Sequence, residues 1–259
     1  MRIPDSVRNF IRPYYYRVKF STSRGIGTME VGGVSARFYV SSRRELMRIS
    51  GLTGEKAVLT RLLGELRAGD VVFDIGANIG THTVAFAKVV GEAGCVACFE
   101  PEPVTAVRLE HNISLNGLDN VTLMRCALGA RESMELLYVD SRSGSGQHSL
   151  SPMDERASEE VRVLPGDQLV RSGQLPTPNA MKIDVEGAEF DVITGLKDSL
   201  ANKACRLVFV EVHNAILERA GRDPGEIVPM LREAGFTDFE KSSRGPEDHI
   251  TARKMESRQ

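Results

Sequence analysis

The sequence predicts an α/β fold: a mostly parallel sheet with helices on both faces and an antiparallel strand pair at its C-terminal end. Three observations carry this reading. From residue 70 onward, short β-branched runs alternate with helical patterns, which implies parallel strands joined by crossover helices. The first of these strands, "DVVFDIG", runs straight into a glycine-spaced turn, "GANIG". Finally, the later strands end in acids ("CFE", "IDVE", "VEVH"), at the edge where an open parallel sheet binds its ligands.

Each element has its own justification. "TMEVGGVSARFYV" reads as a hairpin around Gly32-Gly33, and Gly54 to Leu66 reads as a helix leading into the sheet. Residues 1–69 thus form an N-terminal extension with a β-hairpin and a helix, and residues 70–259 form the core. In the core, "IGTHTVAFAKVVG" is an apolar helix closed by Gly91, and "CVACFE" is the second strand. A helix spans Pro103 to Asn116, its apolar positions including Val104, Val107 and Leu115. "VTLMRCAL" is a third strand after the turn "NGLDN"; "AMKIDVE" and "RLVFVEVH" are two more, separated by a helix that starts after Gly187. A last helix covers Glu226 to Ala234, and "GFTDFEK" and "HITAR" make the terminal antiparallel pair. Ser141 to Glu160 is polar, Gly/Ser-rich and aperiodic, so it reads as a disordered excursion or a loop over the site.

Composition narrows the function. A chain of 259 residues, 41% hydrophobic and 26% charged, has room for one large domain or a domain with an appendage. A net charge of −2 provides no global basic field, so no nucleic-acid partner is expected. No apolar run approaches the roughly 20 residues that span a bilayer. The N-terminus lacks the apolar core of a secretory signal, and a cytoplasmic location is the expectation. Cys95 and Cys98 form a CxxC inside a strand, where positions three apart face opposite sides; they read as small buried hydrophobes, not a redox or zinc pair. The basic, aromatic start "RNFIRPYYYRVK" reads as packing against the domain in preference to a membrane surface, since Pro13 interrupts an amphipathic helix.

The strand ends supply the candidate site. Gly76 and Gly80 permit a tight turn and close backbone approach, and the helix that follows offers free N–H groups. Asp74 would place negative charge near a cationic or amine-bearing ligand. Glu100 ends a strand about 20 residues after the turn, where an acid accepts hydrogen bonds from both ribose hydroxyls. Cys126 and Ala127 are placed to line an adenine pocket. Alternation puts Asp184 and Glu186 on one side of their strand, and Glu211 and His213 on one side of theirs. If the two strands are neighbours, the four converge on a cleft that either activates a hydroxyl as general base or binds a hard divalent cation, with Asp184 and Glu211 as the metal candidates. Two blander readings stand beside these: His213 as a cap or core-edge residue, and Glu189 as a helix-start acid favouring the dipole.

Taken together, "FDIGANIGTHT", "FEPEP", "MKIDVEGAE" and "VFVEVHN" resemble the FkbM-type S-adenosylmethionine-dependent methyltransferases, from Thr28 to Phe239. The resemblance implies a Rossmann-like seven-stranded sheet, S-adenosyl-L-methionine as cofactor, and O-methylation of a hydroxyl on a sugar, glycolipid, polyketide or related metabolite. It implies that Asp74, Gly76, Asn78 and Gly80 form the cofactor loop, that Glu100 binds ribose, and that Asp184 lies near the methionine moiety and the substrate. One departure is "VRVLPGDQL": Pro165 and Gly166 stand where the family often has Leu-Asp-Asp-Leu, while Asp167 survives. A sulfonium methyl is already activated, so the protein mainly aligns the acceptor and excludes water. Asp184 or His213 would take the proton, and a Mg2+-assisted variant is compatible with the same acids. The expected partner is a small-molecule or glycan hydroxyl; homo-oligomerisation stays open. An N- or protein methyltransferase on the same scaffold is the alternative, although no NPPY-type motif follows the fourth strand. A non-catalytic cofactor-binding module is disfavoured by the intact glycines and Glu100.

Overall fold

The computed structural model describes residues 21–52, 56–139, 148–149 and 157–255. The aromatic N-terminal segment and most of the polar segment after Val139, including the side chain of His148, lie outside the described residues.

Strands β1 (Ile26–Val31) and β2 (Val34–Tyr39) form the expected antiparallel hairpin. Helix α1 (Arg43–Gly51) follows, capped by the Ser42 hydroxyl, which accepts the Glu45 N–H. The Glu45 carboxylate reaches back to accept from the Ser41 N–H and hydroxyl, a variant of the capping box. Then come α2 (Lys56–Glu65), β3 (Val71–Ile75), α3 (Thr81–Val90), β4 (Cys95–Phe99), α4 (Pro103–Leu115) and β5 (Val121–Met124). A smaller set comprises β6 (Ala127–Leu128), β7 (Ser133–Val139), β8 (His148–Ser149) and β9 (Ala157–Leu164). The chain continues through α5 (Gly166–Arg171), β10 (Ala180–Ile183), α6 (Glu189–Gly195), α7 (Lys197–Ala201) and β11 (Leu207–Val212). It ends in α8 (Asn214–Arg219), α9 (Ile227–Glu233), β12 (Asp238–Arg244) and β13 (Glu247–Arg253).

The main sheet has seven strands in the order β5-β4-β3-β10-β11-β13-β12. The first five are parallel, and β13 runs antiparallel to both β11 and β12. The chain winds outward from β3 on one side and from β10 on the other, so strand order reverses between them, where such sheets bind ligands. Alternation along β3 sends Val72 into one hydrophobic cluster and Phe73 and Ile75 into the other. The hairpin belongs to the first cluster, where Met29 and Phe38 join Val84 and Leu109. Asn112 of α4 and Asn116 at its C-cap hold it there: Asn112 Oδ1 accepts the Tyr39 N–H at 2.9 Å, and Asn116 Oδ1 accepts the Arg37 N–H at 3.0 Å. These side chains satisfy backbone donors that an edge strand otherwise leaves open. No described helix is long and apolar enough to cross a membrane.

In α4, Val104 and Val107 are exposed, and the inward face is Thr105, Ala106, Leu109 and Asn112. Two expectations are corrected. "VTLMRCAL" is not one strand. It leaves the main sheet after Met124, and Ala127–Leu128 pair in parallel with β9 in a second sheet of order β6-β9-β7-β8. Residues 157–160, read as loop, belong to β9, which pairs antiparallel with β7. Their polarity reflects an exposed sheet face: Ser158, Glu159 and Glu160 are all solvent-accessible.

Candidate active site

The glycine turn is dictated by packing. Gly76 has φ of 79°, and a Cβ there would lie 1.8 Å from the Asp184 carbonyl oxygen, so the turn passes directly over the end of β10. Gly80 has φ of 91° and precedes α3, where a Cβ would come within 2.4 Å of Leu109 in α4. Between them Asn78 adopts φ of 52°, a left-handed conformation that asparagine tolerates. The Asn78 N–H donates to Glu100 Oε2 at 2.8 Å, and the Glu102 N–H donates to Glu100 Oε1 at 2.9 Å. Burial pushes the Glu100 carboxyl up to about 7, and these two backbone donors oppose the rise.

Two clefts meet at this turn. The first, about 670 Å³, is lined by Gly76, Asn78, Glu100, Asp184 and Glu186, with an apolar wall of Phe99, Cys126, Ala127, Leu128 and Leu137. The second, about 1060 Å³, shares Gly76, Asn78, Asp184 and Glu186 and adds Lys182, Glu211, His213, Glu247 and His249. Arg48 and Ile49 of α1, with Leu52 and Val58, also line it, so the N-terminal extension contributes to this cleft.

Asp74 and Gly80 line neither cleft. Asp74 is fully buried; its Oδ2 accepts the Thr83 hydroxyl proton at 2.5 Å, and its Oδ1 lies 3.3 Å from Lys182 Nζ. The cation it faces is therefore a lysine of the protein, which corrects the expectation that its charge meets a ligand. Lys182 also donates to the Gly76 carbonyl at 2.8 Å and lies 3.3 Å from Asp184 Oδ2. Burial disfavours the Lys182 ammonium, but Asp184 and Asp74 outweigh it and hold the lysine charged. Sequence reasoning missed Lys182; the available signal was a lysine inside the otherwise apolar strand "AMKI", where a charge demands a partner.

The strand-end acids converge, though not by simple alternation. β10 ends at Ile183, and Asp184 and Glu186 sit on the turn beyond it, with φ of 51° at Glu186 and 104° at Gly187. A non-glycine residue held there is strained, which is common at functional sites. His213 lies opposite. Its Nδ1 is 2.7 Å from Glu189 Oε1, while its Nε2 is 3.5 Å from Glu186 Oε2 and 3.8 Å from Asp184 Oδ1. Burial pulls His213 down, yet the Glu189 hydrogen bond and the charges of Glu186 and Asp184 lift it to about 9. Burial pushes Glu186 up to about 7 despite His213, whereas for Asp184 the nearby Lys182 and His213 outweigh burial and hold it below its ordinary range.

Glu189 does more than start a helix. It is wholly buried, accepts the Gly187 N–H at 3.2 Å and grips His213, so the helix-dipole reading understated it. Across β11 and β13, Glu211 pairs in register with His249, and Glu211 Oε2 lies 3.5 Å from His249 Nε2. Asp184, Glu211 and His213 each bring one donor atom within 4.8 Å of the others. All four cysteines are free, and burial pushes the Cys126 thiol in the first cleft up to about 11.

A five-stranded parallel run completed by an antiparallel strand inserted before the edge, with a cleft at its reversal point, defines a class I methyltransferase fold. Among solved structures, a putative rRNA-methylase from Clostridium thermocellum shares the fold with a TM-score of 0.50 and 13% identity, over 77% of this chain and 94% of that one. The family model described as the methyltransferase FkbM domain matches residues 74–237. The hexuronic acid methyltransferase AglP of Haloferax volcanii is 35% identical over 227 residues, covering 87% of this chain and 88% of the relative. The 31-O-demethyl-FK506 methyltransferase FkbM of Streptomyces tacrolimicus is 28% identical, over 67% of this chain and 75% of its own. The chain belongs to the FkbM methyltransferase family and is an S-adenosylmethionine-dependent methyltransferase.

Proposed function

We propose that this enzyme methylates a hydroxyl of a sugar-containing acceptor. One observation carries the reading: an apolar-walled cleft with an acid at its β4 end opens, through Gly76, Asn78, Asp184 and Glu186, into a second cleft rich in carboxylates and imidazoles. The first cleft suits the cofactor. Phe99, Cys126, Ala127 and Leu128 offer a slot for a flat base, and Glu100 offers acceptors for a ribose diol. Asp184 and Glu186 place negative charge where a sulfonium and an amino group would lie. When bound, the cofactor supplies a methyl group already activated for transfer.

The chain's residues do the rest. The second cleft holds the acceptor against the shared seam, and Arg48 and Ile49 of α1 line its side. Asp184 is tied to Lys182 through one oxygen and orients the acceptor through the other. Glu186, on the seam of both clefts, takes the hydroxyl proton as the O–C bond forms and the S–C bond breaks. Relatives named for a hexuronic acid and for a 31-O position support an oxygen acceptor of this kind. The test is methyl transfer from labelled S-adenosylmethionine to neutral glycosides, uronic acid glycosides and amino sugars. Label should reach hydroxyl-bearing sugars and survive mild alkali, as an ether does. Label released by alkali, or found only on amines, would overturn the assignment.

A further inference from the structure

We infer that Asp184, Glu211 and His213 form a binding site for a first-row transition divalent cation, beside the buried imidazole of His249. The sheet itself builds the site. Glu211 on β11 and His249 on β13 are register partners, so their side chains share a face, and His213, just past the end of β11, brings a ring nitrogen within 4.8 Å of a Glu211 oxygen. Asp184 reaches in from the end of the neighbouring strand β10. Its two oxygens divide their work: Oδ2 faces Lys182 at 3.3 Å, and Oδ1 faces His213 Nε2 at 3.8 Å.

Two independent features point to a ligand. First, Glu189 holds His213 Nδ1 at 2.7 Å, which keeps a proton on that nitrogen and leaves Nε2 facing the acids, the position from which a bound cation would displace its proton. A buried carboxylate behind the distal nitrogen is the arrangement that orients metal-binding histidines. Second, His249 is 3% exposed, and its Nε2 lacks a hydrogen-bond partner among the described residues while lying 3.5 Å from Glu211 Oε2. Its ring stands edge-on to Phe209 with centroids 5.4 Å apart, so packing holds it in that orientation. A buried imidazole nitrogen without a partner is costly unless something binds it.

The donor set also changes the expected ion. Mg2+ prefers oxygen ligands and retained waters, whereas an imidazole with two carboxylates suits Mn2+, Fe2+ or Zn2+. Next to Glu186, such an ion would hold the acceptor oxygen and ease loss of its proton. That role rests on the methyl-transfer reading, while the binding site itself does not.

The experiment uses the full chain, stripped with a chelator, with Mn2+ binding followed by electron paramagnetic resonance and S-adenosylmethionine binding by calorimetry. A single Mn2+ per chain is expected, displaced by Zn2+ and not by about a hundredfold excess of Mg2+. Glu211→Gln and His249→Gln should each weaken Mn2+ by about tenfold or more, and Glu189→Gln by about 10–100-fold. Cofactor affinity should stay unchanged in Glu211→Gln and His249→Gln, since neither residue lines the first cleft. A chain that binds S-adenosylmethionine but not Mn2+ overturns the metal site, as does undiminished Mn2+ binding by Glu211→Gln. Mn2+ binding without cofactor binding supports the site and overturns the methyl-transfer reading instead.

Discussion

Replacing Lys182 with methionine tests the electrostatic frame of the site. The substitution keeps most of the side-chain volume, so the packing loss is small and the charge term dominates. Lys182 Nζ lies 3.3 Å from Asp74 Oδ1 and 3.3 Å from Asp184 Oδ2, and the Asp74 side chain has no exposed surface. Asp74 Oδ1 has no hydrogen-bond partner among the described residues, so the lysine is its compensating charge. Removing one member of a buried pair costs about 3–5 kcal/mol, because the other is left uncompensated. Against a total stability of about 5–15 kcal/mol, that loss is easily read as a fall in the urea midpoint followed by circular dichroism. Adding Asp74→Asn keeps an acceptor for the Thr83 hydroxyl and removes the stranded charge. The double variant should therefore recover part of the loss, with a coupling of about 1–3 kcal/mol. A Lys182→Met protein within about 1 kcal/mol of the parent, or a double variant equal to the sum of the singles, would refute this account.

Two further outcomes follow from buried carboxylates. Burial holds the Glu100 proton to about pH 7, against an ordinary value of 4.5, so its contribution to stability is full below pH 4.5 and is lost as pH rises through 7. The separation of those two values is worth about 3 kcal/mol, and the fall in stability between pH 5 and 8 should flatten in Glu100→Gln. Cofactor affinity should rise over the same window, as the ionised carboxylate gains acceptor capacity, and calorimetry at each pH would show it. At Glu45, burial favours the neutral acid, but donors from Ser41 and Arg108 outweigh it and hold the carboxyl low, so its contribution is present above the unfolded value and lost as pH falls through the folded one. Glu45→Gln should cost about 1–3 kcal/mol. Because α1 carries Arg48 and Ile49, it should also raise the acceptor KM while leaving cofactor affinity unchanged.

Much of this was legible in the chain before any coordinates. Strand–helix alternation, the glycine-spaced turn and acid-ended strands are local patterns, and each reports a local requirement: a period, a positive φ, a strand terminus. They determined the fold class, the end of the sheet that holds the site, and the four strand-end residues Asp184, Glu186, Glu211 and His213 that gather there. Partnership across the sheet left no such trace. Lys182 and Asp74 meet because β10 lies beside β3, and Glu211 meets His249 because β13 inserts antiparallel beside β11. Glu189 turned from a helix-start acid into the anchor of His213 once α6 and β11 came together. The wall of the second cleft likewise required α1 to fold back from far along the chain. The sequence by itself determined which residues carry chemistry at which strand ends. Only the tertiary structure decided which charge answers which, because a buried charge is defined by the neighbour that compensates it.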